Sequence, residues 1–197
     1  TERCARARVH VLCEKPMAMS SADCEAMIDV CVENDVKLMI AYRLHFEEAN
    51  LSAVEVVRSG RLGEARVFSS LFTQQVQEGN IRLERELGGG PLEDIGIYCI
   101  NAARYLLRAE PIEVFASAVK GRDPRFDEVP ETVSVIMRFP DERLASFTCG
   151  FGEGKVSRYH VIGTKGELRM EPAYTWHGDI HQTITVGDDT EEKTFED

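Results

Sequence analysis

Basic residues are in short supply: 23 Lys and Arg stand against 34 Asp and Glu, a formal net charge of −11. Such a surface repels phosphate backbones and anionic lipid headgroups, so nucleic-acid and membrane partners are disfavoured. Long apolar runs are also missing, and no stretch is long enough to cross a bilayer as a helix. The opening Thr1-Glu2-Arg3-Cys4-Ala5-Arg6 lacks the apolar centre of a secretory signal. The six cysteines, Cys4, Cys13, Cys24, Cys31, Cys99 and Cys149, contain no CxxC pair. Most lie in apolar segments, as small core residues do, and are expected to be reduced thiols in a cytoplasmic protein. No P-loop, internal repeat or low-complexity segment occurs, and no Ser–His–Asp arrangement is readable. The composition that remains, 43% hydrophobic and 29% charged, is that of an ordinary globular chain.

Two textures follow one another. Arg8 to Cys13 reads as a short buried strand that Pro16 ends. Ser20 or Ser21 caps a helix with Asp23 in its first turn. Cys24, Met27, Ile28 and Cys31 form one apolar helical stripe. Lys37 to Tyr42 is a second buried strand, so the start is a βαβ unit, expected to be parallel. A break is expected near Tyr42-Arg43. Residues 1–43 are then the C-terminal part of a dinucleotide-binding domain, and 44–197 a substrate and oligomerisation domain.

In the second part, Glu47 to Ser59 reads as a helix ended by Gly60. Strands follow at Ala65–Phe72, Glu113–Val119, Val133–Phe139, Leu144–Phe151, Arg158–Gly163 and Glu167–Met170, several joined by short turns. One helix, from about Pro91 to Leu107, interrupts them. Short connections imply antiparallel neighbours. The fold class is therefore an α/β remnant of a Rossmann domain plus an α+β domain with a mainly antiparallel, open-faced sheet. The acidic end, Gly187 to Asp197, reads as a solvated strand or tail. An open face needs cover, and Phe115, Ser117, Val119 with Val133, Val135, Met137 are the apolar residues nominated for it.

Three places are able to carry chemistry. Glu14-Lys15-Pro16 follows the end of a parallel strand, where open α/β sheets bind ligands; the plain alternative is a surface lysine. In Gly88-Gly89-Gly90-Pro91-Leu92-Glu93-Asp94-Ile95-Gly96-Ile97-Tyr98, Asp94 and Tyr98 are four residues apart and share a helical face. A carboxylate one turn below a phenol can orient a hydroxyl beside a proton donor. The glycines would allow close backbone approach to a ligand; the plain alternative is a flexible loop and a half-buried tyrosine. Arg82, just upstream, is alone a solvated arginine. His177 and His181 are four apart, yet their surroundings read as loop and strand, so no metal site is expected.

Val9-His-Val-Leu-Cys-Glu14-Lys15-Pro16-Met-Ala resembles the EKP strand-turn of the glucose–fructose oxidoreductase, inositol dehydrogenase and rhizopine-catabolism (Gfo/Idh/MocA) family. Ala41-Tyr42-Arg43-Leu44-His45 is similar to its next strand end, and Arg82 through Tyr98 to its loop and catalytic helix. Tyr98, where many members carry histidine, points to the glucose–fructose oxidoreductase branch. The resemblance implies an oxidoreductase using NADP or NAD on a small sugar or polyol. It implies that Lys15 lies near the nicotinamide and the reacting hydroxyl, that Asp94 holds substrate, and that Tyr98 exchanges the proton. It places Glu14, Pro16, Arg43 and Arg82 with Lys15 on the cofactor side, and Trp176 and His177 as walls of the sugar site. It also implies self-association through the open sheet. The family's GxGxxG fingerprint is absent from these residues, so the chain is expected to be inactive alone. The alternative is a non-catalytic fragment acting as an oligomerisation or carbohydrate-binding module.

Overall fold

The computed structural model describes residues 1–175 and 177–196, which fall into two compact units, Thr1–His45 and Phe46–Asp197. In the first, helix α1 (Glu2–Arg6) precedes strand β1 (Val11–Cys13), helix α2 (Ser21–Glu33) and strand β2 (Leu38–Ile40). Ser20 caps α2, its hydroxyl accepting from the Asp23 amide, which satisfies one of the first-turn donors. The strands pair in parallel, Val11 opposite Leu38 and Cys13 opposite Ile40.

The small core here is Ala5, Val30, Cys31 and Val36 with Leu38. Two expectations change. Ile28 is 49% exposed and lies off the buried face, which Val30 and Cys31 occupy instead. The strands are half-buried rather than buried: Leu12 and Met39, opposite each other, both point outward from a two-stranded sheet covered on one side.

The second unit holds helix α3 (Glu48–Arg58), helix α4 (Ile97–Leu107) and one eight-stranded sheet. Its strands are β3 (Ala65–Gln75), β4 (Glu113–Val119), β5 (Thr132–Phe139), β6 (Arg143–Gly150), β7 (Gly152–Gly163), β8 (Gly166–Glu171), β9 (Ile180–Val186) and β10 (Asp189–Phe195). Their order is β10-β9-β8-β7-β3-β6-β5-β4, and among the described residues of this sheet β3 with β6 is the sole parallel pair. The sheet is therefore mainly antiparallel with a central crossover. Of the two alternatives for the acidic end, a solvated strand is found: β10 is mostly exposed and pairs with β9 as a hairpin, Ile180 opposite Phe195.

Alternation sorts the strands into two faces. Phe68 and Ser70 on β3 are buried, as are Tyr159 and Val161 on β7 and Ala145, Phe147 and Cys149 on β6, on the side that α3 and α4 cover. Val133, Val135 and Met137 also lie there, 5%, 6% and 2% exposed. Their assignment to the open face was wrong because register places Ile136, not its neighbours, opposite Phe115. The open face carries Phe115, Ile136, Leu144, Val67 and Ile162. No helix among the described residues is long and apolar enough to cross a membrane.

Candidate active site

The π turn before α4 positions the carboxylate. Residues Leu92–Gly96 wind as a π-helix that runs into α4, a local widening that is frequent at functional positions. Asp94 and Tyr98 are both half-buried, beside the buried stripe Ile95, Cys99, Ala102 and Leu106. Arg82 sits in a short 3-10 turn, Ile81–Leu83, capped by Asn80. Its Nε donates to Asp94 Oδ2 at 2.6 Å, and its Nη1 to Asn80 Oδ1 at 3.4 Å. Arg82 is thus ion-paired rather than merely solvated, and it meets the residue nominated to hold substrate. With the Asp94 side chain 15% exposed and Arg82 42%, solvent only partly screens the pair.

The glycine run explains the pairing. The Gly90 amide donates to Arg82 O at 3.0 Å and the Gly89 amide to Glu84 O at 2.9 Å. A Cβ on Gly89 would lie 2.6 Å from the Arg82 carbonyl oxygen and 2.7 Å from that of Glu84. The close backbone approach expected of these glycines is thus to the chain's own Arg82–Glu84 segment. Lacking side chains, they dock that segment against the start of the helix.

Four tyrosines lie in this unit. Burial raises the phenols of Tyr105, Tyr159 and Tyr174 well above their ordinary value. Each hydroxyl also has a partner: Tyr105 and Tyr159 donate to Asn50 Oδ1 at 3.2 Å, and Tyr174 meets Ser70 Oγ at 2.7 Å. Tyr98 is half-buried and lies four residues after Asp94 on the same helical run. Its ring meets Phe72 edge-on, centroids 5.7 Å apart, and Tyr174 at 6.1 Å. Phe72 and Tyr174 carry no sequence signal of chemistry, and their meeting depends on strand pairing.

In the first unit, parallel pairing brings two nominated segments to one sheet end. The Ala41 amide donates to Cys13 O at 2.7 Å, so Glu14-Lys15-Pro16 after β1 and Tyr42-Arg43 after β2 leave the same edge. Arg43 begins a 3-10 turn to His45, whose ring meets that of Tyr42 at 5.0 Å. Two cations at parallel strand ends suit an anionic dinucleotide. His177 forms a local turn with Thr175, and His181 lies on β9 with Nδ1 3.1 Å from Thr194 Oγ1. Trp176 lies outside the described residues. A cavity of about 780 Å³ opens at the far end of α4, by Leu106, Leu107, Arg108 and Arg143, and touches none of the nominated residues.

Comparison with known proteins decides the family. The family description "GFO/IDH/MocA C-terminal domain" matches residues 51–169, and "Oxidoreductase family, NAD-binding Rossmann fold" matches residues 1–42. The chain belongs to the GFO/IDH/MocA oxidoreductase family. A D-xylose 1-dehydrogenase [NADP(+)] from Haloarcula marismortui is 36% identical over 84% of this chain and 48% of its own length. Among solved structures, an aldose-aldose oxidoreductase from Caulobacter crescentus complexed with glycerol is 40% identical. It superposes with a TM-score of 0.93 over 98% of this chain and 58% of that one. A 3-ketoreductase from Actinomadura kijaniata in complex with NADP and TDP-benzene is 28% identical, with a TM-score of 0.88 over 99% and 60%. The family is thus one of nicotinamide-dependent oxidoreductases with sugar-acting members, and this chain spans about half the length of the curated relatives it matches.

Proposed function

We propose that the protein containing this chain transfers a hydride between a nicotinamide cofactor, NADP or NAD, and a hydroxyl carbon of a sugar or polyol. The observation that carries this reading is the Arg82–Asp94 pair one helical turn from Tyr98, a half-buried phenol on the same helix. Bound nicotinamide supplies the hydride acceptor or donor. Glu14, Lys15, Pro16 and Arg43 are the residues we assign to hold it, with Arg82, on the family resemblance and the shared sheet end. The substrate hydroxyl is oriented by Asp94, whose position Arg82 fixes. As the alcohol is oxidised its hydroxyl proton passes to the Tyr98 oxygen, and in reduction Tyr98 returns it. On the family resemblance Lys15 is the residue we assign to the nicotinamide and the reacting hydroxyl. His177 is assigned to the sugar side on resemblance, as is Trp176.

The test is a steady-state assay of the whole protein with a panel of aldoses and either cofactor. Tyr98→Phe is expected to lower kcat by about 10²–10⁴-fold while cofactor affinity holds, the contribution typical of a positioned acid–base group. Wild-type turnover by Tyr98→Phe would end this mechanism. Sugar binding with no turnover by any wild-type preparation would instead favour a carbohydrate-binding module.

We also propose that two copies pair through the open sheet face. Phe115 is 68% exposed, Ile136 and Leu144 48% each, and Val67 and Ile162 38% each, and register gathers them on one surface. Sedimentation that finds only a 22.1 kDa species at high concentration would refute this.

A further inference from the structure

Tyr98 is the second residue of α4 and half-buried, less enclosed than the core side chains around it. Proton transfer needs donor and acceptor within about 2.6–3.2 Å, so the angle of the ring matters.

Three aromatic rings form a chain leading into the sheet. Phe72 on β3 meets Tyr98 at 76°, edge to face, and stacks on Tyr174 with centroids 5.0 Å apart at 28°. Tyr174 is 4% exposed and anchored at both ends. Its backbone amide donates to Ser157 Oγ at 2.8 Å, and its hydroxyl lies 2.7 Å from Ser70 Oγ. Ser70 and Ser157 stand on neighbouring strands, β3 and β7, where Ser70 pairs with Tyr159 and Phe72 with Ser157. The anchor is therefore the centre of the sheet, and Phe72 is the link between it and Tyr98. Edge-to-face and offset geometries are the favoured ones for aromatic pairs and set the relative angle of the rings.

We propose that Phe72 and Tyr174 are positioning residues that hold the Tyr98 ring at the angle proton transfer requires. This rests on the assignment of Tyr98 as the proton carrier. Tyr174 is not itself a second proton carrier, because Ser70 occupies its hydroxyl and the ring is buried.

The experiment is a double-mutant cycle on the whole protein. Phe72→Leu removes the linking ring, and a misplacement of about 1 Å costs on the order of 100-fold in rate. Its kcat is expected to fall by roughly 10- to 100-fold with KM nearly unchanged, since ground-state binding is untouched. Phe72→Tyr keeps the ring and is expected to retain wild-type kcat. In a Tyr98→Phe background, Phe72→Leu is expected to cause no further loss, because the group it positions is gone. Tyr174→Phe, which keeps the ring but removes its bond to Ser70, is expected to show a smaller loss with the same disappearance in the Tyr98→Phe background. It carries the cycle if Phe72→Leu does not fold, as judged by its melting curve. Equal losses in both backgrounds, a raised KM, or a Phe72→Tyr variant as slow as Phe72→Leu would overturn the proposal. Wild-type turnover by Tyr98→Phe alone overturns the proton-carrier assignment instead. A slow Tyr98→Phe beside a fully active Phe72→Leu removes only the positioning role.

Discussion

The two faces of the eight-stranded sheet come from the same strands and have opposite characters. Along β3, Phe68 and Ser70 are 0% and 5% exposed, while Val67 between β6 and β7 on the other side is 38% exposed. The covered face combines aromatic rings with hydroxyls that find partners: Ser70 with Tyr174, and Tyr159 with Asn50. The open face combines aliphatic residues with serines and ion pairs such as His160–Glu167 and Arg158–Glu171. A precisely aimed side chain needs neighbours that are themselves fixed, and only the covered face offers them. The open face offers area, which suits association.

The comparison breaks if either face does the other's work. Placing lysines at Phe115 and Ile136, which face each other across β4 and β5, sets like charges against their copies and should cost several kcal/mol of association. Sedimentation should then show monomer, with turnover per active site unchanged if the covered face alone carries the chemistry. A loss of turnover without loss of assembly would contradict the division. On the covered side, Asp94→Ala removes a charged hydrogen-bond acceptor, of a kind worth about 1.5–3 kcal/mol. The loss in kcat/KM should therefore be roughly 10- to 100-fold. Arg82→Met should lose less, because it loosens Asp94 without deleting it; the reverse order would mean that Arg82 touches the reacting groups itself.

Gly89→Ala sharpens the account of the loop. The added carbon would meet the carbonyls of Arg82 and Glu84, so the variant should be destabilised by about 1–3 kcal/mol, as overpacking usually is. Denaturant unfolding checks this, and an unchanged midpoint would show that the glycines serve flexibility. A smaller effect concerns Cys99, whose thiol burial raises from 9.0 to about 12. Its thiol stays protonated in the fold while the unfolded chain ionises, so stability is fully present below pH 9 and is lost as pH rises towards 12. At pH 10 this amounts to about 1 kcal/mol. Cys99→Ala should flatten that alkaline decline, and identical slopes for the two proteins would show that other groups set it.

Much of the framework was legible because it depends on local periodicity. A cap at Ser20 or Ser21, which the structure gives to Ser20, and the position of strand Glu113–Val119 follow from spacing alone. Misreadings arose where a partner decides. Ile28 fits a helical stripe as well as Val30 does, and only the packing of α1 and β2 selects Val30. Val133, Val135 and Met137 alternate correctly, but alternation does not say which face is covered. Within the candidate site, Asp94 and Tyr98 could be nominated from one helix. The pairing of Arg82 with Asp94 needed the glycine fold-back, and the stack of Tyr98, Phe72 and Tyr174 joins segments up to 102 residues apart through the β3–β7 register. Tyr174 sits in an irregular segment after β8, where no period marks it.

The central claim is that Tyr98 moves the proton, and single-turnover oxidation of a sugar by the whole protein at saturating cofactor tests it most directly. The Tyr98→Phe variant is predicted to be slower than wild type by about 10²–10⁴-fold, with cofactor affinity unchanged. A Tyr98→Phe variant that keeps the wild-type rate would contradict the account.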